Sequence, residues 1–497
     1  MPPTALSARA LENLLGEWRG GASAYLGLSE RIRLLLLDGR LASNTRLPAE
    51  RELGERLGVS RTTVTAAYRA LRNAGYLQSV RGSGSVVAVP GVVVPTAEPS
   101  TGILDFSQAS MPALPGLADA AAAAAGDFAR HLHGSGFDPV GLPELREAIA
   151  ERYRARGLPT NADQVMVTLG AQHAIALLGR VLISRGDRVL IEMPTYPHAY
   201  EALRAAGGRL VPVSVTAGSV PAADASGVAV EKGLGLADGW DEPALLQALQ
   251  RSNPVVGYLM PDFQNPTGQS MPIDQRERVI GAAAAAGAVL LVDETIAEFN
   301  IDRAGELPPF AAHAEGARGA GAVVSIGSVG KSVWGGIRIG WIRAEPALIR
   351  RLVAARSAND LGTPVLEQLL VTRLLPEMNA ILAHRSDQLR AGRDHLERLL
   401  VERFPEWTVP HVDGGITAWV NLGAPVSSQL ALAARNYGLL VTAGPRFGID
   451  GAFERFMRLP FSPSLTQMDR AVDALGLAWE SLRRHPLPDN GFLADVV

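Results

Sequence analysis

Two patterns of apolar and polar positions divide this chain. Near its start, Pro48–Gly58 (PAERELGERLG) places Leu53 and Leu57 four residues apart, and Gly58 closes the segment. That spacing predicts a short helix opening at Pro48. Ser60 offers an N-cap for a second helix, Arg61–Asn73, on which Val64, Ala67, Tyr68 and Leu71 form one apolar stripe. Arg61, Thr62, Thr65 and Arg69 fall largely off the stripe. Two helices joined by a tight turn, the second with a polar and basic N-terminal face, have helix-turn-helix grammar. Tyr76–Ala88 (YLQSVRGSGSVVA) then reads as strand, Gly-Ser-Gly turn and strand, a hairpin with Arg81 at its tip.

Gly91–Thr101 (GVVVPTAEPST) has two prolines and no periodicity, which sets a linker over 89–102 between a head, 1–88, and a body, 103–497. In the body short apolar runs alternate with helical patterns. Strands are predicted at Gln164–Thr168, Arg188–Ile191, Val255–Met260, Ala288–Val292 and Ala322–Ser325. This alternation predicts an α/β fold with a mostly parallel sheet, functional groups in the loops after the strands, and a smaller C-terminal α+β part at about 346–485. The roles of residues 1–20 and of the 215–240 insert are not legible from pattern.

Charge sharpens the division. Residues 1–88 hold 12 Arg against 7 Asp and Glu, whereas the rest of the chain holds 35 basic and 43 acidic residues. A basic head on an acidic body points the head toward a polyanion. With no Cys among 497 residues, disulfides, thiolate metal sites and thiol nucleophiles are excluded. The N-terminus lacks the apolar core of a signal peptide, and AAAAAGAVLLV is too short to span a bilayer, so a cytoplasmic protein is expected.

Candidate chemistry follows the predicted strands. Leu169-Gly170-Ala171-Gln172 opens a helix, where backbone N–H groups suit an anion; Gly in a tight turn alone explains it equally well. Tyr196 in EMPTY offers an aromatic face to a flat ring, or simply packs. Asn265 in PDFQNPTG precedes a proline and carries an amide donor, in what is otherwise a turn. Asp293 ends an apolar run, where a carboxylate is costly unless a cation or protonated heterocycle, or a structural ion pair, meets it. Ser328, Lys331 and Arg338 share the Gly-rich stretch SIGSVGKSVWGGIRIGWIRA. Lys331 and Lys232 are the only lysines; the other 45 basic residues are arginine. An amine can lose its proton and form a Schiff base and a guanidinium cannot, which singles out Lys331, while Lys232 in a Gly/Ala-rich loop reads as a surface lysine. Anion site, aromatic, amide donor, carboxylate and amine together describe pyridoxal 5′-phosphate (PLP).

LPAERELGERLGVSRTTVTAAYRAL resembles the winged helix-turn-helix of the GntR family. That resemblance implies that Arg51, Ser60, Arg61, Thr62, Thr65, Arg81 and Gly82 face double-stranded DNA. Arg61 suits a guanine edge, Ser60 and Thr62 a phosphate, and Arg81 with Gly82 the minor groove. FDPVGLPELREAIA, LGAQ, PDFQNPTG, VDETIAEF and SVGKSVWGGIRIGW resemble a fold-type I, class I/II aminotransferase over 103–485. This implies Lys331 as the Schiff-base lysine, Asp293 as the partner of the pyridine nitrogen, Asn265 on the ring oxygen and Tyr196 stacked on the ring. Ala171, Gln172, Ser328 and Arg338 would hold phosphate, and Arg458 in FMRLPFSP a substrate or effector carboxylate.

A GntR head joined to an aminotransferase-like body is similar to the MocR regulators, which implies a head-to-tail homodimer whose grip on DNA responds to PLP or an amine effector. Two positions depart from that pattern. Thr295 stands where a tyrosine usually bonds the PLP oxygen, and GFDPVG offers Gly136 and Phe137 where a second tyrosine is common. The losses favour sensing over turnover; a working aminotransferase with an accessory head, and a regulator whose PLP site has decayed, are the competing readings.

Overall fold

The structure, a computed structural model, describes residues 4–16, 18, 23–37, 40–42, 44–80, 84–88, 102–217, 239–314, 319, 321–449 and 451–484. Arg81, Gly82, Lys232, nearly all of the linker and most of the 215–240 insert lie outside the described residues.

In the head, the helix predicted from Pro48 runs Glu50–Leu57, with Ala49 at its N-cap and Gly58 left-handed at its C-cap. The second helix is Arg61–Asn73, and Ser60 caps it by accepting from the Thr63 amide at 3.1 Å. Val64, Ala67, Tyr68 and Leu71 are buried, and the hairpin strands are Leu77–Val80 and Gly84–Val87. Residues before the predicted motif are part of this unit: strand Thr4–Ala5 joins the head sheet, and Ala8, Leu11 and Leu15 of helix Ala8–Leu15 enter its core. An ion pair from Arg56 to Glu12, 2.5 Å, ties that helix to the first helix of the motif.

The body is built on an eight-stranded sheet. In spatial order its strands are Val165–Thr168, Gly340–Arg343, Val323–Ser328, Val289–Asp293, Val256–Leu259, Arg188–Met193, Arg209–Thr216 and Gly239–Trp240. The five from Val323–Ser328 to Arg209–Thr216 run parallel, while Gly340–Arg343 is antiparallel to both its neighbours and Gly239–Trp240 to its one. All five predicted strands are present. Three others carry no clear pattern signal: Arg209–Thr216 and Gly239–Trp240 flank the insert, and Gly340–Arg343 begins inside the Gly-rich stretch. Both faces of the sheet are covered, so its central strands are apolar at successive positions and lack alternation.

Helices Ala171–Leu182, Pro197–Ala205 and Pro346–Arg356 contribute to the core on one face. On the other lie Pro143–Ala155, Glu242–Ser252, Ile273–Ala286 and Val365–Leu374. The second core therefore does not begin near 346 as expected. Pro346–Arg356 and Val365–Leu374 belong to the large sheet, and the changeover falls within the long helix Met378–Arg403: Ile381 packs toward the sheet and Leu389 toward the second core, with Leu382 touching both. That second core surrounds strands Thr417–Asn421, Phe456–Pro460 and Thr442–Ala443 and also recruits Phe106, Ala109 and Met111 from the start of the body. No helix among the described residues is long and apolar enough to cross a membrane.

One buried arginine holds the FDPVG run against the sheet. Arg356 is fully buried, pairs with Asp360 at 2.6 Å, and donates to the carbonyls of Pro139 and Val167 and to Thr363, each at 2.8 Å. Arg356→Met keeps the stem and strands those acceptors, so it is expected to lower stability by about 3–5 kcal/mol. Denaturant melts of the variant and the parent protein check this.

Candidate functional site

The carboxyl edge of the sheet gathers the candidate residues. Gly340 lies opposite both Thr168 and Ser328 in register, so the loops after these two strands meet at one point. A Cβ at Gly340 would stand 2.7 Å from the Gly170 carbonyl carbon, and Gly170 itself has φ +86°. Glycine is required at both positions, because two backbones touch here and one of them is left-handed. Ala171 and Gln172 then start helix Ala171–Leu182. Arg338, also left-handed with φ +55°, folds back so that its guanidinium donates to the Leu169 carbonyl at 3.1 Å. The Ser328 hydroxyl donates to the Ile339 carbonyl at 3.0 Å and accepts from the Gly330 amide at 3.1 Å. A hydroxyl, a guanidinium and a helix N-terminus thus converge, and the Gln172 Oε1 is buried there without a partner.

Lys331 follows on a turn after Val323–Ser328. Its Nζ donates to the Ala109 carbonyl. Burial, followed by the positive charge of Arg458, lowers its amine from 10.5 to about 8, against the opposing pull of Asp293. Asp293 ends the neighbouring strand; its Oδ1 accepts from the Thr295 amide at 2.9 Å and from the Thr295 hydroxyl, and its Oδ2 from the Tyr258 hydroxyl at 2.7 Å. Thr295 thus has a task of its own at the position where the sequence showed only a missing tyrosine. Phe137, at the second departure, is exposed.

Tyr196 is the half-buried N-cap of helix Pro197–Ala205, and burial, then Asp293, pushes its phenol up to about 12. Its charge environment includes Asp293, Arg338 and Arg458, so the loops bring these groups into one electrostatic neighbourhood. Asn265 leaves a buried Oδ1 without a partner, while its neighbour Gln264 anchors the loop by donating to the Pro194 carbonyl at 2.6 Å and accepting from the Thr267 amide at 3.1 Å. Under both loops lies Glu192, which accepts from Trp240 at 2.8 Å and from the Met260 amide at 3.0 Å; complete burial raises its carboxyl to about 8.

Arg458 sits mid-strand in Phe456–Pro460. It donates to the Ser107 carbonyl, lies 5.0 Å from the Phe447 ring centre, and keeps a buried Nε without a partner. It has no carboxylate partner among the described residues, and burial lowers its guanidinium to about 10. A buried cation in that condition calls for an anion from outside the chain.

At the head, Arg51 and Arg61 are exposed, Arg51 pairing with Glu55 at 2.9 Å. Ser60 and Thr62 stand at the start of the exposed helix face, their hydroxyls 2.7 Å apart. Thr65 turns inward, donating to Glu50 at 2.7 Å and to the Arg61 carbonyl, so it is held by the protein itself.

Sequence reasoning missed Tyr258 and Glu192. Both look like strand residues, and only the parallel register of their strands with the neighbours shows what they bond. A buried carboxylate in EMPTY beside a tyrosine-bearing strand was the available signal.

A strand-end carboxylate, a lysine amine lowered by burial, a guanidinium beside a helix N-terminus and a buried arginine without a carboxylate partner among the described residues are the groups expected of a PLP protein of the aminotransferase class. Comparison with known families agrees: residues 101–475 match "Aminotransferase class I and II" and residues 24–87 match "Bacterial regulatory proteins, gntR family". The chain belongs to the class I and II aminotransferase family and carries a GntR helix-turn-helix head, the architecture of MocR-type transcription regulators. Aminotransferases of this class are PLP-dependent, and a GntR head binds DNA. The chain is 30% identical to the 2-aminoadipate transaminase of Thermus thermophilus, covering 72% of this chain and 81% of the relative. It is 26% identical to the HTH-type transcriptional regulator TauR of Rhodobacter capsulatus, over 88% and 93% of the two chains. In structure the body is similar to LysN, the alpha-aminoadipate aminotransferase from Thermus thermophilus solved with N-(5′-phosphopyridoxyl)-L-leucine. That match has a TM-score of 0.66 and 28% identity, and covers 77% of this chain and 94% of that one.

Because only the neutral amine attacks a carbonyl, covalent capture of added PLP should quicken about tenfold per pH unit up to about pH 8 and level off above it. An unperturbed lysine would go on gaining rate toward 10.5. Stopped-flow absorbance reads the profile, and Lys331→Ala should show no visible band at any pH.

Proposed function

We propose that this regulator senses an amino acid or related amine at a PLP site and passes the state of that site to its DNA-binding head. The supporting observation is where the head is fastened. Arg31, on head helix Ala24–Leu37, is almost fully buried; its Nε donates to the Leu15 carbonyl at 2.6 Å and its Nη1 pairs with Glu454. Glu454 also accepts from the Ser428 amide at 3.0 Å and from its hydroxyl at 2.7 Å. Strand Phe456–Pro460, which carries Arg458, begins two residues later. Any shift of that strand on engaging a carboxylate acts directly on the anchor of the head.

In this reading Lys331 holds PLP covalently and Asp293 faces the pyridine nitrogen. Asn265 meets the ring oxygen, Tyr196 covers the ring, and Ala171, Gln172, Ser328 and Arg338 hold the phosphate. The unpartnered Arg458 Nε is a donor that fits the carboxylate of such a ligand. PLP supplies an aldehyde for amine exchange and an electron-accepting ring. Arg458 supplies selectivity for an amine that bears a carboxylate. Arg51, Ser60, Arg61 and Thr62 form the DNA face, with Thr65 supporting it from within through Glu50, and a DNA partner fits a cytoplasmic location. A homodimer is favoured by the large apolar side chains left exposed on adjoining segments: Gly362 packs on Asp138, which brings exposed Phe137 and Leu361 onto neighbouring stretches.

Two measurements test this. Operator affinity should differ among the apo, PLP-bound and PLP-plus-amino-acid protein. Glu454→Gln should abolish the difference while leaving PLP capture intact; an unchanged effector response in that variant would refute the coupling. Separately, Arg61→Ala should weaken operator binding about tenfold to a hundredfold and relax base preference at one position, measured by fluorescence anisotropy on substituted operators. Rapid, complete conversion of bound PLP by an amino acid in a single turnover would instead favour the working transaminase.

A further inference from the structure

Tyr258 belongs to none of the sequence motifs, yet it bonds the carboxylate of Asp293 directly. It lies on strand Val256–Leu259 opposite Leu291 of the next strand. Asp293 is two residues beyond Leu291 and projects to the same face of the sheet. The two are therefore diagonal cross-strand neighbours, a separation that a long side chain spans. The phenol is fully buried and donates to Asp293 Oδ2 at 2.7 Å. Burial, then the adjacent carboxylate, pushes that phenol well above its usual range, so it stays a donor at any working pH.

A carboxylate offers about four acceptor positions, two on each oxygen. On Asp293, Oδ1 accepts from both the amide and the hydroxyl of Thr295, which fills it. Oδ2 accepts from Tyr258 and has one position left. The carboxylate is buried, so each donor also offsets the cost of keeping its charge away from water.

We propose that Tyr258 is a positioning residue for the cofactor: together with Thr295 it fixes the Asp293 carboxylate as an acceptor with a single open position on Oδ2, directed to the protonated ring nitrogen of PLP. This rests on the reading of Asp293 as the ring partner. It adds a second, unassigned group that determines whether that partner is correctly aimed. It also gives Thr295 a definite role. Where a tyrosine would reach the cofactor oxygen, threonine is short enough to turn back onto the carboxylate two residues before it.

The test uses the full-length protein loaded with PLP labelled with nitrogen-15 in the ring, and reads the ring-nitrogen chemical shift, which separates pyridinium from neutral pyridine. The parent protein should give the pyridinium signal. Tyr258→Phe keeps the ring volume and removes one donor; it should move the signal toward neutral pyridine and raise the PLP Kd about tenfold, with covalent capture by Lys331 retained. Thr295→Val, which keeps its backbone N–H, should shift the signal in the same direction by less. Asp293→Asn is the control for the underlying reading. If Asp293→Asn moves the signal and Tyr258→Phe does not, the role of Tyr258 is overturned while the ring partner stands. If neither moves it, the assignment of Asp293 falls, and this proposal with it. Near-identical melting temperatures for parent and Tyr258→Phe would keep a general packing defect from accounting for the shift; should the variant unfold, the Thr295→Val signal decides, and no movement there refutes the clamp.

Discussion

The passage of Gly340 against Gly170 is the constraint on which the site depends. The sheet forces it: an antiparallel strand is wedged between Val165–Thr168 and Val323–Ser328, and its first residue must clear the loop that leaves its neighbour. With a Cβ at 340, that loop and the start of helix Ala171–Leu182 would be pushed outward. Arg338 could not then reach back to Leu169, and the lysine turn would lose its fixed distance from the helix N-terminus. One close backbone approach thereby sets the geometry between the helix N-terminus and Lys331.

The charges gathered on this frame are unbalanced in a selective way. Arg458 and Arg338 both act on Lys331, with Asp293 as the opposing carboxylate. Burial, joined at Lys331 by repulsion from the two arginines, lowers the proton affinity of Lys331 and Arg458, and the two groups answer differently. The amine can become neutral and nucleophilic. The guanidinium remains a cation at any physiological pH and so waits for an anion. A ligand that satisfied the whole set would carry negative charge both near Arg338 and near Arg458, as the proposed phosphate and carboxylate do, with a carbonyl between them.

Much of this was legible in the sequence because the chemistry demands particular residue types at fixed places. One of two lysines in an arginine-rich chain, a carboxylate ending an apolar run and Asn before Pro each mark a position that packing alone does not explain. The recognition helix was bounded correctly because Ser60 and the Val64–Leu71 stripe are local signals. What escaped was non-local. Tyr258 and Glu192 sit in apolar strands and acquire meaning only from register with the strands beside them. The division of the cores escaped because Met378–Arg403 is one continuous helix that serves both, so no break in pattern marks the change. Strand Thr4–Ala5 and helix Ala8–Leu15 escaped because a short amphipathic segment has meaning only against the head core that receives it.

The fastening of the head gives physical content to the idea that a metabolic site can govern DNA binding. A ligand shifts a conformational equilibrium only by the difference in its affinity for the two states. Under the proposed reading Arg458 would supply such a difference, since a buried cation unpaired in one state and matched in the other changes free energy far more than a surface contact does. The strand that holds it starts beside Glu454, and Glu454 is fixed by both Ser428 and Arg31. The lever is short and its elements are well packed, with Trp419 stacked on Phe456 and edge-on to Phe447, each at 5.3 Å between ring centres. A sensor built this way has no need of fast turnover. It needs the amine–cofactor complex to persist long enough to hold Arg458 in a paired state.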